Sequence, residues 1–155
     1  MCFVLYVGTV RPIPRREWRK DAPDISVRDL SSRELALKAK FESPEVQYVG
    51  STSHCGCDFP HTILQNGNLP PLEGAKDADQ VIVERQNRDA LVKLLREVQE
   101  PTVQIYGTWD GSEDDLSKAP LSREMIAVER ILDPTFYFKE QGFYCVEIRL
   151  SKPAG

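Results

Sequence analysis

The first apolar run, "CFVLYVG" (2–8), is apolar at odd and even positions alike. That pattern predicts a strand covered on both faces, at the centre of a sheet. After a Pro-rich loop, "DISVRDL" (24–30) predicts a short strand. "SSRELALKAKF" (31–41) then predicts a helix opened by a capping box, in which Ser31 accepts a hydrogen bond from the Glu34 amide and the Glu34 side chain reaches back. Ser43 and Pro44 stop that helix. "VQYVG" (46–50) is the next strand, and "TILQNGNLPPLEGAK" (62–76) is too rich in Gly, Pro and Asn to be regular, which predicts a long surface loop.

Asp77 and Gln80 form a second capping box, at the head of a helix expected to run to about Glu100, where Pro101 ends it. Leu91, Leu94, Leu95 and Val98 are its core stripe, and its polar middle, "ERQNRD", is expected to face solvent. "TVQIYGTWDG" (102–111) reads as a third strand with a Gly-containing turn. "REMIAVERIL" (123–132) fits strand and short helix equally on periodicity and is read as strand. "TFYF", the turn "KEQG" and "FYCVEIRL" predict a terminal hairpin, with Tyr144, Val146, Ile148 and Leu150 on one face and Cys145, Glu147 and Arg149 on the other.

These elements make one α+β domain over residues 1–155, with a mixed β-sheet, two main helices and a C-terminal β-hairpin. At 155 residues, 41% hydrophobic and 28% charged, the chain is long and apolar enough to hold a core without disulfides, and its composition is that of a soluble globular protein. Three strands end alike, in "YVGT" (6–9), "YVGS" (48–51) and "YGTW" (106–109), at irregular spacing that excludes a repeat architecture. Two of them follow helices, which suggests parallel crossovers, and ligands of open α/β sheets sit beyond the carboxyl ends of such strands. Ser51, Thr108, Trp109 and Asp110 are therefore candidates to lie near a ligand.

The net charge of −4 hides an asymmetry: residues 1–40 hold nine Lys and Arg against five acids, and the remainder eleven against nineteen. The stretch from Arg11 to Lys20, interleaved with Trp18, is the one hint of nucleic acid, since basic side chains contact phosphates and an indole stacks on any base. A solvated, Pro-broken loop in an acidic chain is the plainer account, and nucleic acid is not the expected partner. The opening apolar run lacks preceding basic residues and is far too short to cross a bilayer, so the expectation is a cytoplasmic protein without membrane contact.

The chemistry concentrates in "STSHCGCDFPH" (51–61). In an extended Cys-Gly-Cys the two thiols project to one side, and Gly56 lets the backbone pinch. Cys55 and Cys57 make half of a tetrahedral metal site that His54, His61, Cys2 or Cys145 can complete, with His54 and His61 the nearest in sequence and Cys2 a further thiol; mixed thiolate and imidazole ligation suits zinc. The one-residue gap matches no familiar zinc pattern, and two other accounts stay open. One is a strained, easily reduced Cys55–Cys57 disulfide, hence a redox switch. The other is a turn that merely packs. Cys2, exposed by removal of Met1, would also present the thiol and α-amine of an N-terminal nucleophile. "TWDGSEDDL" gathers Asp110, Glu113, Asp114 and Asp115 but lacks the ligand spacing of a calcium loop, and reads as an acidic surface turn.

"MCFVLYV", "FESPEVQYVGSTSHCGCDF", the strand ending "WDG" and the expected terminal hairpin together resemble a family of small uncharacterised bacterial proteins that begin Met-Cys and carry Cys-Gly-Cys-Gly-Phe after a strand similar to Tyr-Val-Gly-Ser. Asp58 stands here where that pattern has Gly. The resemblance brings no activity or cofactor with it; it implies that Cys2, Cys55 and Cys57 belong to one pattern. The expectation is thus a small protein with a thiol-based metal-binding or redox site, the alternative being a non-catalytic interaction module with a structural Cys turn.

Overall fold

The computed structural model describes residues 2–63, 69–72, 74, 77–110 and 119–150. Six strands form a single sheet: β1 (Phe3–Thr9), β2 (Ser26–Asp29), β3 (Glu45–Gly50), β4 (Thr102–Trp109), β5 (Ser122–Ala127) and β6 (Gly142–Glu147). They lie in the order β2-β3-β1-β4-β6-β5, so the chain's first apolar run does sit inside the sheet. The β5–β6 pair is parallel and every other neighbouring pair is antiparallel, which makes the sheet mixed and the fold α+β.

Among the described residues one α-helix forms, α1 (Ala78–Glu97), packed on the sheet, and the Asp77 side chain accepts the Gln80 amide proton at 2.8 Å, as the capping box requires. Its Leu91, Val92, Leu94 and Leu95 pack with Phe3, Leu5 and Val7 of β1, Val103 and Ile105 of β4, and Tyr144 and Val146 of β6. The opposite face of the sheet carries Val4, Tyr6, Val46, Tyr106 and Phe143, closed over by Leu37 and Phe41. The alternation of β1 and β6 between the two clusters is the period-two pattern of a doubly covered strand.

Several expectations are corrected. The second main helix is a short 3-10 segment, Leu35–Lys40, stepped by backbone bonds from Glu34 to Ser31, Leu37 to Glu34 and Phe41 to Lys38. Glu34 does reach back to the Ser31 amide, but it also takes the Tyr6 hydroxyl and Arg28, and a run this short gains too few hydrogen bonds to continue as an α-helix. "REMIAVERIL" divides into β5 and a 3-10 turn, Val128–Leu132.

The C-terminal hairpin does not form. Both edges of β6 are taken by β4 and β5, and Phe138 instead exchanges backbone hydrogen bonds with Pro60 and Thr62. The polar middle of α1 is not solvated throughout, since Glu84, Asn87 and Arg88 are buried; Arg88 donates to the carbonyls of Ile131 and Asp133. The strands are not related by parallel crossovers through the centre of the sheet. Parts of the 62–76 loop and the acidic residues Glu113, Asp114 and Asp115 lie outside the described residues, as does Met1. No helix among the described residues is long and apolar enough to cross a membrane.

Candidate functional site

Because β3 runs antiparallel to β1, with Val49 opposite Leu5, the segment leaving β3 emerges beside the start of β1. On the other flank β4 also runs antiparallel, and the Asp110 amide donates to the Cys2 carbonyl at 2.6 Å. Two chain ends of opposite direction thus bring position 2 and positions 55–57 to one rim of the sheet. A parallel pairing would have left them a strand length apart.

The segment 51–59 is held tightly. Ser51 is fully buried, and its hydroxyl donates to the Cys55 carbonyl and lies 3.1 Å from the Ser53 hydroxyl. Thr52 is clamped from two sides. Its amide donates to Asn87 Oδ1 at 2.9 Å, its hydroxyl accepts from Asn87 Nδ2 at 3.0 Å, and its carbonyl accepts from the Trp18 indole at 2.8 Å. His54 takes a left-handed backbone conformation, φ 72°, donates its amide to the Ser51 carbonyl, and lays its ring against Trp18 at 5.2 Å. That tight turn swings the chain back toward β1.

Gly56 then makes the closest approach. A Cβ there would stand 2.0 Å from the Phe3 carbonyl oxygen and 3.2 Å from Val4 Cα, so only glycine lets the turn Gly56–Asp58 seat on β1. The Phe3 amide in turn points at Cys57 Sγ, 3.3 Å away. The consequence is a group of three thiols, Cys2, Cys55 and Cys57, whose sulfur atoms all lie within 4.8 Å of one another, with Cys2 and Cys55 at 3.1 Å. Each is half-buried.

Their acidities diverge. Burial disfavours the Cys55 thiolate, but hydrogen bonds from the Cys57 amide and with the thiols of Cys2 and Cys57 outweigh it, and its pKa falls below the ordinary thiol value. Cys57 is pushed up to about 12, chiefly by burial and against the pull of the Phe3 amide. The Cys2 thiol is also raised, first by its hydrogen bond with Cys55 and then by burial. Of the three, Cys55 is therefore the thiol that ionises most readily.

Cys2 therefore joins Cys55 and Cys57, and the group contains no histidine nitrogen. His54 is occupied with Trp18. His61 stacks on Phe3 at 4.8 Å and 10°, meets Trp109 edge-on at 5.3 Å, and has Nδ1 2.7 Å from the Phe59 carbonyl. Thr108 and Trp109 end β4 close by, the Thr108 hydroxyl buried. Cys145 lies against the opposite-face cluster, away from this rim.

The Trp18 indole does not stand open to stack on a base: it donates to the Thr52 carbonyl and packs against His54. Around it Arg15, Arg16 and Arg19 pair with Asp29, Glu97 and Asp21. Sequence reasoning missed Asn87. The signal was present: Glu84, Asn87, Arg88, Leu91, Leu94 and Leu95 follow a helical period, so a polar residue stands on the buried stripe and needs a partner. Comparison of the chain with family models, with curated proteins and with solved structures finds no match.

Proposed function

We propose that this protein binds one soft metal ion through the thiolates of Cys2, Cys55 and Cys57. The observation that carries the reading is the meeting of three sulfur atoms, delivered by two segments 53 residues apart, within 4.8 Å of one another. Thiolates around a zinc ion with Zn–S bonds of about 2.3 Å stand roughly 3.8 Å apart in a tetrahedron, so little rearrangement separates the free site from a loaded one. The donor set is all sulfur, which suits zinc and Cu(I). With three protein ligands among the described residues, a fourth position stays open to water or an incoming thiol, the arrangement of an exchanging site rather than a closed structural one.

Binding must displace protons from thiols whose pKa values reach about 12 at Cys57. Affinity is therefore expected to weaken steadily as pH falls from 8 to 6. Elemental analysis of untagged protein, purified without added metal or chelator, should give near one equivalent of metal per chain, falling to background in the Cys55→Ser variant. Background metal in the wild type, with no uptake when zinc or Cu(I) is offered to the reduced protein, would leave the alternative of an interaction module whose Cys turn is structural.

A further inference from the structure

We infer that the same triad carries a second activity, the two-electron reduction of a hydroperoxide by Cys2 and Cys55, which form a disulfide with each other and leave Cys57 as a free thiol. The pairing differs from the neighbouring Cys55–Cys57 bond that the sequence suggests. Cys2 and Cys55 sulfurs are 3.1 Å apart and need to approach by only about 1 Å to reach the ~2.05 Å of a disulfide. Cys57 lies inside the 3-10 turn that Gly56 seats on the Phe3 carbonyl, with the Phe3 amide on its sulfur and the Gly56 carbonyl bonded to the Phe59 amide at 3.0 Å. Linking it to Cys55 requires that turn to deform, whereas Cys2 reaches Cys55 from a separate segment, with the two sulfurs already 3.1 Å apart. Both are half-buried, so a small peroxide reaches them from solvent.

The chemistry balances with the hydroperoxide as the oxidant. The Cys55 thiolate sulfur attacks one peroxide oxygen, the O–O bond breaks, and the departing oxygen takes a proton to leave as water or an alcohol. Cys55 is then a sulfenic acid. The Cys2 sulfur attacks the Cys55 sulfur, the S–O bond breaks, and hydroxide leaves with the Cys2 proton as water. Two thiols have lost two electrons, and one peroxide has gained them. The thiol step does not depend on the metal reading; where metal is bound, the disulfide removes two of its three ligands and releases it.

The test is peptide mapping of metal-free, reduced protein after one equivalent of hydrogen peroxide. The expected product is a Cys2–Cys55 cross-link formed with one peroxide consumed per chain, with Cys57 still open to alkylation; fragmentation between Cys55 and Cys57 assigns the partner. The Cys57→Ser variant should give the same cross-link, and Cys2→Ser should stop at a sulfenic acid on Cys55 that a 1,3-dione traps. A Cys55–Cys57 bond as the main product, or overoxidised single thiols without a cross-link, overturns the inference. Zinc titration of the reduced protein keeps the two readings apart: cross-linking without zinc uptake removes the metal reading alone, and zinc uptake without cross-linking removes this one alone.

Discussion

The two faces of the sheet are closed by different means. Between α1 and the sheet lies a cluster of 21 buried hydrophobic residues, four of them from α1 itself, whereas the opposite face gathers seven, among the described residues. What the second face lacks in apolar area it replaces with polar anchoring. The Tyr6 hydroxyl donates to Glu34 at 2.6 Å, Arg28 pairs with the same carboxylate at 2.7 Å and lies over the Tyr48 ring, and Gln104 accepts from the amides of Glu42 and Ser43, each at 3.0 Å. A twenty-residue helix presents several turns of apolar stripe; a six-residue 3-10 segment presents Leu37 and little else, so strand side chains must hold it down.

The sharpest way to break this comparison is to remove one fully buried leucine from each face. Leu95→Ala under α1 is expected to cost about 3–5 kcal/mol, and Leu37→Ala about 2–3 kcal/mol because the shorter cover settles more easily into the space left. Denaturant midpoints read both, and equal losses would show that the short cover settles into its cavity no more easily than the long helix does.

Gly56→Ala acts where the Cys turn meets β1. A methyl 2.0 Å from the Phe3 carbonyl lifts the turn away, at an expected cost of about 1–3 kcal/mol, and separates Cys57 and Cys55 from Cys2. Alkylation of the three thiols should then proceed at independent rates. Unchanged stability and unchanged alkylation would show that the turn does not need its seat on the strand.

The smallest effect belongs to the polar anchor itself. Burial works against ionisation of Glu34, yet hydrogen bonds from Arg28, Tyr6 and the Ser31 amide outweigh it and hold its pKa at about 2, below the ordinary 4.5. A depressed carboxylate stabilises the fold fully above its unfolded pKa and loses that contribution as pH falls through the folded value. Wild type should therefore exceed Glu34→Gln by about 1 kcal/mol or less at neutral pH, Arg28 being solvent-screened, and the gap should narrow between pH 4.5 and 2. A gap of constant size across that range would count against the ion pair.

The strands β1, β3 and β4 and the head of α1 were legible in the sequence because each rests on a local pattern: a largely apolar run that ends near a glycine, or a capping box. Strand direction was not, since nothing local distinguishes an antiparallel neighbour from a parallel one when the connecting segments are long. That one unknown decided the composition of the site. With parallel strands Cys2 is remote; with antiparallel strands it becomes the third thiol. The histidines looked like ligands by proximity along the chain, but His54 is consumed by a tight turn and His61 by an aromatic stack, both of which depend on Trp18, Phe3 and Trp109 arriving from elsewhere. The hairpin failed for the same reason, because β6 already has two partners.

The place of β1 in the sheet has a consequence for how the chain is made. Its neighbours, β3 and β4, end at Gly50 and Trp109, so the most apolar strand is synthesised first and the second of its partners about a hundred residues later. At roughly 5–20 residues per second that delay is about 5–20 s. Throughout it one edge of β1 has no strand to pair with, and α1, which covers one of its faces, is completed only just before β4 begins. The nascent chain thus carries an unfinished sheet edge throughout that interval, and a holdase that shields residues 3–9 during it would raise the yield of folded protein without touching its final stability.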